Sequence, residues 1–296
     1  VVITKKPDWI RVKGVDERVL NEMKALLDRY HLHTVCESAV CPNMGSCFKA
    51  GTATFMILGN ICTRNCAFCG VESGKPLEPD PAEPENVARA SRDLNLKHVV
   101  ITSVTRDDLP DGGAGQFAAA IRAINAILPE ATTDVLIPDL KASIDNLKIV
   151  IDARPDILAH NLETVPRLYL TMRQGASYEN SLHVLANSKK LNPEVCTKSG
   201  IMLGVGEKHD EVLAVMRDLR SVDCDFLTLG QYLRPAAENI EVTEFITPEA
   251  FEEYRMLGYE MGFRYVASSP FVRSSFHAEE ALKAIGHCHT PLKCST

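Results

Sequence analysis

Three cysteines in Cys62-Thr-Arg-Asn-Cys66-Ala-Phe-Cys69 stand at a CxxxCxxC spacing. They follow an apolar run, Thr54-Phe-Met-Ile-Leu58, that reads as a strand, so the spacing predicts a loop at a strand end. Three thiolates hold three irons of a cubane and leave the fourth open. An open iron that chelates the amino and carboxylate groups of S-adenosylmethionine passes one electron into the sulfonium. That cleaves a C–S bond and gives a 5′-deoxyadenosyl radical, chemistry that belongs to the cofactors while the protein positions them. The alternatives for the triplet alone are part of a structural zinc site or ordinary reduced thiols. Zinc sites usually close with four ligands, and no fourth Cys or His lies close by in sequence.

Cysteine usage supports a metal role. Six of the ten cysteines in this 296-residue chain fall between Cys36 and Cys69. Clustered thiols in a reducing compartment are more often metal-binding or catalytic than disulfide-bonded. A second triplet, Cys36-Glu-Ser-Ala-Val-Cys41-Pro-Asn-Met-Gly-Ser-Cys47, has CxxxxCxxxxxC spacing. Pro42, Asn43 and Gly45 break regular structure there, so it reads as a loop wrapped around a metal centre.

Composition excludes several classes. With 45% hydrophobic and 24% charged residues, a packed core is expected rather than disorder. A net charge of −7 argues against a nucleic-acid partner. No run of about 18 apolar residues suggests a membrane span. The opening Val-Val-Ile-Thr-Lys-Lys-Pro lacks a basic-then-apolar export pattern, so a cytoplasmic location is expected.

The elements that position the cysteines alternate strand and helix. Short apolar runs occur at 54–58, 98–102, 134–138, 156–160, 200–204 and 226–230. Helical stripes lie between some of them, as in Phe117, Ile121, Ile124 and Leu128, or Val212, Val215, Met216 and Leu219. The alternation predicts a parallel sheet with right-handed crossovers, an α/β partial (β/α)6 TIM-like barrel with N-terminal and C-terminal extensions. The expected division is an extension over 1–52 carrying the second triplet, a barrel over 53–245, and a C-terminal extension over 246–296. Asp16 is expected to cap a helix over 17–30 with Val19, Leu20, Met23, Leu26 and Leu27 on one face. Thr247-Pro248 starts another, lined by Phe251, Tyr254, Leu257 and Met261.

Such a barrel places chemistry at the C-terminal ends of its strands. Ser103, Arg106, Asp107, Asp108, Asp139, His160, Asn161, Glu163, Glu207, Gln231, Tyr232 and Arg234 all follow predicted strands. The His/Cys tail over 286–294 and a basic N-terminal set, Lys5, Lys6, Arg11 and Lys13, are read as solvated chain.

Two triplets plus Arg273-Ser-Ser275 carry a resemblance over nearly the whole chain. Thr34-Val-Cys36, Cys41-Pro-Asn43, Arg106-Asp-Asp108, His160-Asn-Leu-Glu163, Lys198-Ser-Gly200 and Thr228-Leu-Gly-Gln-Tyr-Leu233 add to it. The chain resembles the lipoyl synthases, radical S-adenosylmethionine enzymes. The resemblance implies that Cys62, Cys66 and Cys69 hold a radical-generating [4Fe–4S] cluster. It implies that Cys36, Cys41 and Cys47 hold an auxiliary [4Fe–4S] cluster, with a serine, Ser275 rather than Ser274, as fourth ligand. Serine oxygen is harder than thiolate and suits a ligand that must let go. Asn161 and Glu163, with Ser103 and Lys198, are the candidates for S-adenosylmethionine. Glu163 is assigned to a ribose hydroxyl and Lys198 to the carboxylate.

The implied reaction inserts two sulfurs at C6 and C8 of an octanoyl chain, amide-linked to a lysine of a lipoyl carrier domain. Such domains belong to 2-oxoacid dehydrogenase E2 subunits or the glycine-cleavage H protein. A low-potential reductant such as flavodoxin or ferredoxin and an iron–sulfur cluster supply protein are the implied partners. Phe276, Ala236, Asn239, Ser269 and Lys208 depart from the family pattern, where Tyr, Ser, His, Gly and Thr are expected. The rival readings are another radical sulfur-inserting enzyme and a two-cluster electron carrier. Ferredoxin-type carriers surround each cluster with four cysteines, which these triplets do not.

Overall fold

The computed structural model describes residues 6–11, 16–39, 41–49 and 53–275. Lys5, Lys13, Phe276 and the His/Cys tail lie outside the described residues. Helix α1 (Glu17–Arg29) starts where Asp16 accepts from the Arg18 N–H at 2.9 Å. Its stripe buries Met23 and Leu27, and Val19, Leu20 and Leu26 pack beside them. Strand β1 (His33–Thr34) follows, then α2 (Val35–Ser38) and α3 (Met44–Lys49). The second cysteine triplet is therefore not a plain loop. Thr34 caps α2 by accepting from the Glu37 N–H at 3.4 Å, and Pro42 falls in the turn between the two short helices.

The main sheet begins with β2 (Thr54–Ile57), fully buried. A two-stranded ribbon, β3 (Ile61–Cys62) with β4 (Glu72–Ser73), comes next. Then α4 (Glu83–Asp93), β5 (His98–Ser103), α5 (Ala114–Ile127), β6 (Thr132–Leu136), α6 (Ile144–Asp152) and β7 (Ile157–Ala159) alternate. The short α7 (Tyr169–Met172) precedes α8 (Tyr178–Leu191), β8 (Cys196–Leu203), α9 (His209–Ser221) and β9 (Phe226–Gln231). Helix α10 (Pro248–Glu260), capped by Thr247, and β10 (Tyr265–Ser268) complete the order.

The sheet runs β1-β2-β5-β6-β7-β8-β9-β10. All pairs are parallel except β1 with β2. The six units read from the sequence form the partial barrel, and β10 adds a further parallel strand in the stretch read as a C-terminal extension. Strand β8 starts four residues before the apolar run that marked it, because Thr197, Lys198 and Ser199 are buried polar residues. The two halves have separate cores. Phe117, Ile121 and Ile124 of α5 belong to one core with buried residues of β2, β5 and α1. Val212, Val215, Met216 and Leu219 of α9 pack with β8, β9 and α10. Met23, Leu27 and Cys36 belong to the first core, so the N-terminal segment is built onto the barrel edge. Among the described residues no helix is long and apolar enough to cross a membrane.

Candidate functional site

The Cys62–Cys69 loop leaves the barrel at the C-terminal end of β2, and the ribbon β3–β4 closes its base. Gly74 N–H donates to the Cys62 carbonyl at 2.9 Å. Backbone donors converge on the sulfurs. Thr105 and Arg64 N–H groups point at Cys62 Sγ at 3.3 and 3.4 Å, and Val71 N–H at Cys69 Sγ at 3.5 Å. Asn239 Nδ2 donates to the carbonyls of Ala67 (3.2 Å) and Cys69 (2.9 Å), so this departure from the family pattern grips the Cys62–Cys69 loop directly.

Arg64 locks the loop to two strand ends. Its guanidinium pairs with Asp107 after β5 and Asp139 after β6, at 2.8 and 2.7 Å. Burial opposes its charge, but the two carboxylates prevail and hold its pKa above the usual range. Arg106 is buried and forks onto Asp108 at 2.8 Å, also donating to the Leu58 carbonyl at 3.3 Å. Asp107 and Asp108 are therefore structural partners of arginines.

Glu163 and Asn161 stand at the mouth after β7. Glu163 has φ +68 and bridges to Ile201 of β8. Its carboxylate accepts from Asn161 Nδ2 at 3.0 Å. Burial raises its pKa, partly offset by Arg173 and Asn161. Gly200 makes room for this arrangement, since a Cβ there would stand 3.0 Å from Asn161 Oδ1.

Arg173 is the residue that the sequence reading missed. Its Nη1 donates to the Asn161 carbonyl at 2.9 Å and to the Tyr169 hydroxyl at 2.8 Å, while Nε is buried without a partner. Its charge acts on both Cys66 and Glu163. Nothing in a lone arginine after α7 marks it in the sequence.

Lys198 does not join this group. It is 3% exposed on the first half of β8, and its ammonium pairs with Asp134 of β6. The register sets Lys198 opposite Ala159 at the end of β7, but its ammonium is engaged by Asp134 rather than turned to the group around Glu163. Ser103 ends β5 with its hydroxyl buried and unpartnered, as is Nε2 of His160, the residue after β7. Burial, then Arg173, lowers the His160 pKa to about 4, so its ring is neutral near pH 7.

The second triplet abuts the first. Gly70, the residue after Cys69, lies against α2, where a Cβ would come within 3.1 Å of the Ser38 carbonyl. Cys36 is buried on α2 and Cys47 lies on α3, with Cys41 between them. Mutual charge among the three contributes to a Cys36 pKa of about 12, with burial the larger cause and Thr54 hydrogen bonds opposing.

The Arg273-Ser-Ser275 segment closes over this junction. Asn43 Nδ2 donates to the Phe271 carbonyl at 2.7 Å. Arg273 Nη1 donates to the Val272 carbonyl at 2.6 Å and the Pro270 carbonyl at 3.4 Å, and burial lowers its pKa, partly offset by Cys41. A Cβ on Gly230 of β9 would overlap the Val272 carbonyl, so this strand end is shaped for the segment. Ser274 Oγ donates to Asn161 Oδ1 at 3.0 Å.

The donor set fits iron–sulfur chemistry. The described cysteines stand outside disulfides, and burial raises the pKa of Cys66, and that of Cys69 to about 11. Metal charge reverses that preference and yields thiolates. Among the described residues no three Cys, His, Asp or Glu side chains converge as ligands of one metal ion. Cubane thiolates need no such convergence, because each takes a different iron.

Residues 56–219 match the model of the Radical SAM superfamily. The fold is shared with the FeFe-hydrogenase maturase HydG from Carboxydothermus hydrogenoformans (TM-score 0.59, 14% identity, 92% of this chain and 70% of that one). It is shared also with methylornithine synthase (0.56, 15% identity, 74% and 72%). The chain is thus a member of the Radical SAM superfamily. Lipoyl synthase of Caldanaerobacter subterraneus subsp. tengcongensis is 54% identical over 94% of this chain and 97% of its own length. That of Caldicellulosiruptor saccharolyticus is 51% identical over 95% and 99%. The chain belongs to the lipoyl synthase family.

Proposed function

We propose that this chain inserts two sulfur atoms at C6 and C8 of an octanoyl chain carried on a protein lysine, completing a lipoyl group. The observation that supports this reading most is the junction itself. Two cysteine triplets meet at Gly70 and Ser38, under a C-terminal segment that presents two serines.

Cys62, Cys66 and Cys69 would hold one [4Fe–4S] cluster, and Cys36, Cys41 and Cys47 with Ser275 a second. With S-adenosylmethionine bound, these groups supply a 5′-deoxyadenosyl radical and a source of sulfur. The protein's own part is positioning. Thr105, Arg64 and Val71 N–H groups stabilise negative charge on sulfur. Glu163 is placed to accept from a ribose hydroxyl, and Asn161 to donate or accept beside it. Arg173, with a free N–H in a buried setting, takes the carboxylate-facing role in place of Lys198. Ser103 offers a further unpaired hydroxyl. Phe68, Met172, Val205 and Tyr232 pack together beside the loop and keep water from it.

The division of labour follows 1–52 for the auxiliary cluster, 53–245 for the radical barrel and 246–296 for the closing motif. Octanoylated carrier domains are the substrates, a flavodoxin or ferredoxin the reductant, and an iron–sulfur supply protein the source of renewal. A cytoplasmic setting suits reduced thiols.

The test is a single turnover under anaerobic conditions with reconstituted protein, dithionite, S-adenosylmethionine and an octanoyl-lysine peptide. Mass spectrometry should find 5′-deoxyadenosine and a peptide that gains first one sulfur and then two. 5′-Deoxyadenosine without thiolated peptide, with both clusters intact, would move the search to another substrate.

A further inference from the structure

Asn161 is held on three sides. Ser274 Oγ donates to its Oδ1 at 3.0 Å, its Nδ2 donates to Glu163 Oε1 at 3.0 Å, and Arg173 grips its backbone carbonyl at 2.9 Å. A carboxamide has one acceptor end and one donor end. Flipping it would set its oxygen against the Glu163 carboxylate and its NH2 against Ser274, which would then have to accept. Ser274 and Glu163 together therefore select one orientation of the Asn161 amide. Ser274 is 113 residues away in sequence and belongs to the segment that covers the second triplet. Through this hydrogen bond, the closing segment reaches Asn161 at the barrel mouth.

We propose that Ser274 is a positioning residue that couples docking of the C-terminal segment to S-adenosylmethionine binding, by fixing the Asn161 carboxamide. The proposal rests on the reading of this mouth as the S-adenosylmethionine site. Coupling between two sites is reciprocal. A cofactor that needs the fixed amide binds better when the segment is docked, and its binding holds the segment down over the auxiliary cluster. The two adjacent serines then have different tasks. Ser274 faces Asn161, and Ser275 is left to the auxiliary iron.

The experiment uses full-length reconstituted protein and the variants Ser274→Ala, Ser274→Thr and Ser275→Ala. S-adenosylmethionine affinity is measured by equilibrium dialysis, and iron and acid-labile sulfide are counted on the same samples. Ser274→Ala should retain about eight irons, as two cubanes require, and bind S-adenosylmethionine about 5- to 10-fold more weakly, the loss of one partly buried hydrogen bond. Ser274→Thr, which keeps the hydroxyl, should recover affinity to within about twofold. Ser275→Ala should lose auxiliary iron and hold its cofactor affinity. Unchanged affinity in Ser274→Ala would overturn the proposal, as would loss of auxiliary iron in that variant. If wild-type protein with both clusters binds no S-adenosylmethionine, the reading of the mouth fails first, and that result is visible before any variant is compared.

Discussion

The guanidinium of Arg64 and the carboxylate of Asp139 form a two-pronged pair: Nη1 meets Oδ2 at 2.7 Å and Nη2 meets Oδ1 at 2.9 Å. Asp107 accepts from Nε and from Nη2, each at 2.8 Å. One side chain in the cluster loop is therefore tied to the ends of two strands. Lysine cannot make this fork. Arg64→Lys should fold but retain the loop loosely, with at least a tenfold loss in S-adenosylmethionine cleavage and lower iron at the first triplet. Arg64→Ala should also lose about 3 kcal/mol of stability, because two carboxylates stay partly buried without their cation. Denaturant titration of the two variants beside wild type checks the difference.

Lys198 is buried and Arg173 half-buried with its Nε enclosed, and only Arg173 faces the mouth. Arg173→Met should weaken S-adenosylmethionine binding by tenfold or more. Lys198→Met should destabilise the fold, since it strands the Asp134 carboxylate inside the sheet. The protein that remains folded should keep wild-type cofactor affinity. Equilibrium dialysis on samples corrected for folded fraction separates the two effects.

Gly230 is shaped for the closing segment. Gly230→Ala pushes a methyl group into the Val272 carbonyl. The segment should lift, the auxiliary cluster should lose iron, and the radical cluster should remain. Iron analysis with EPR of the reduced protein should show about half the iron and one cluster signal instead of two.

His160 sets a pH dependence. Its folded pKa is about 4 against an ordinary 6.5, the result of burial and of Arg173 nearby. The unfolded chain therefore binds more protons between these values. Stability from this residue is fully present above about pH 6.5 and is lost as pH falls toward 4. The loss is on the order of 3 kcal/mol. His160→Gln should flatten that part of the stability curve, measured as denaturant midpoints from pH 7 to pH 4.5.

The cysteine triplets were readable because each is short and its members stand close in sequence, whereas the place of Ser275 beside them is set by the fold. The helices α1, α9 and α10 were readable for another reason: their buried faces are apolar stripes at helical spacing, begun by Asp16 for α1 and Thr247 for α10. Strand β8 was misjudged at its start because Lys198 is buried by a partner 64 residues away, and no local pattern encodes that ion pair. The ribbon β3–β4 has two residues per strand, too few for any period to appear. The helical turns α2 and α3 were hidden by Pro42 in the turn between them and by Gly45 inside α3. Arg173 and Asn239 gain their meaning only from contacts across the mouth, with Asn161 and with the cluster-loop carbonyls.

The central claim is that two adjacent triplets share one reaction, the first making the radical and the second giving sulfur. The direct measurement compares wild type with the triple variant Cys36→Ala, Cys41→Ala, Cys47→Ala in an anaerobic single turnover on octanoyl-lysine peptide. Wild type should release 5′-deoxyadenosine and add two sulfurs. The variant should release 5′-deoxyadenosine and add none. Thiolated peptide from the variant would contradict the account.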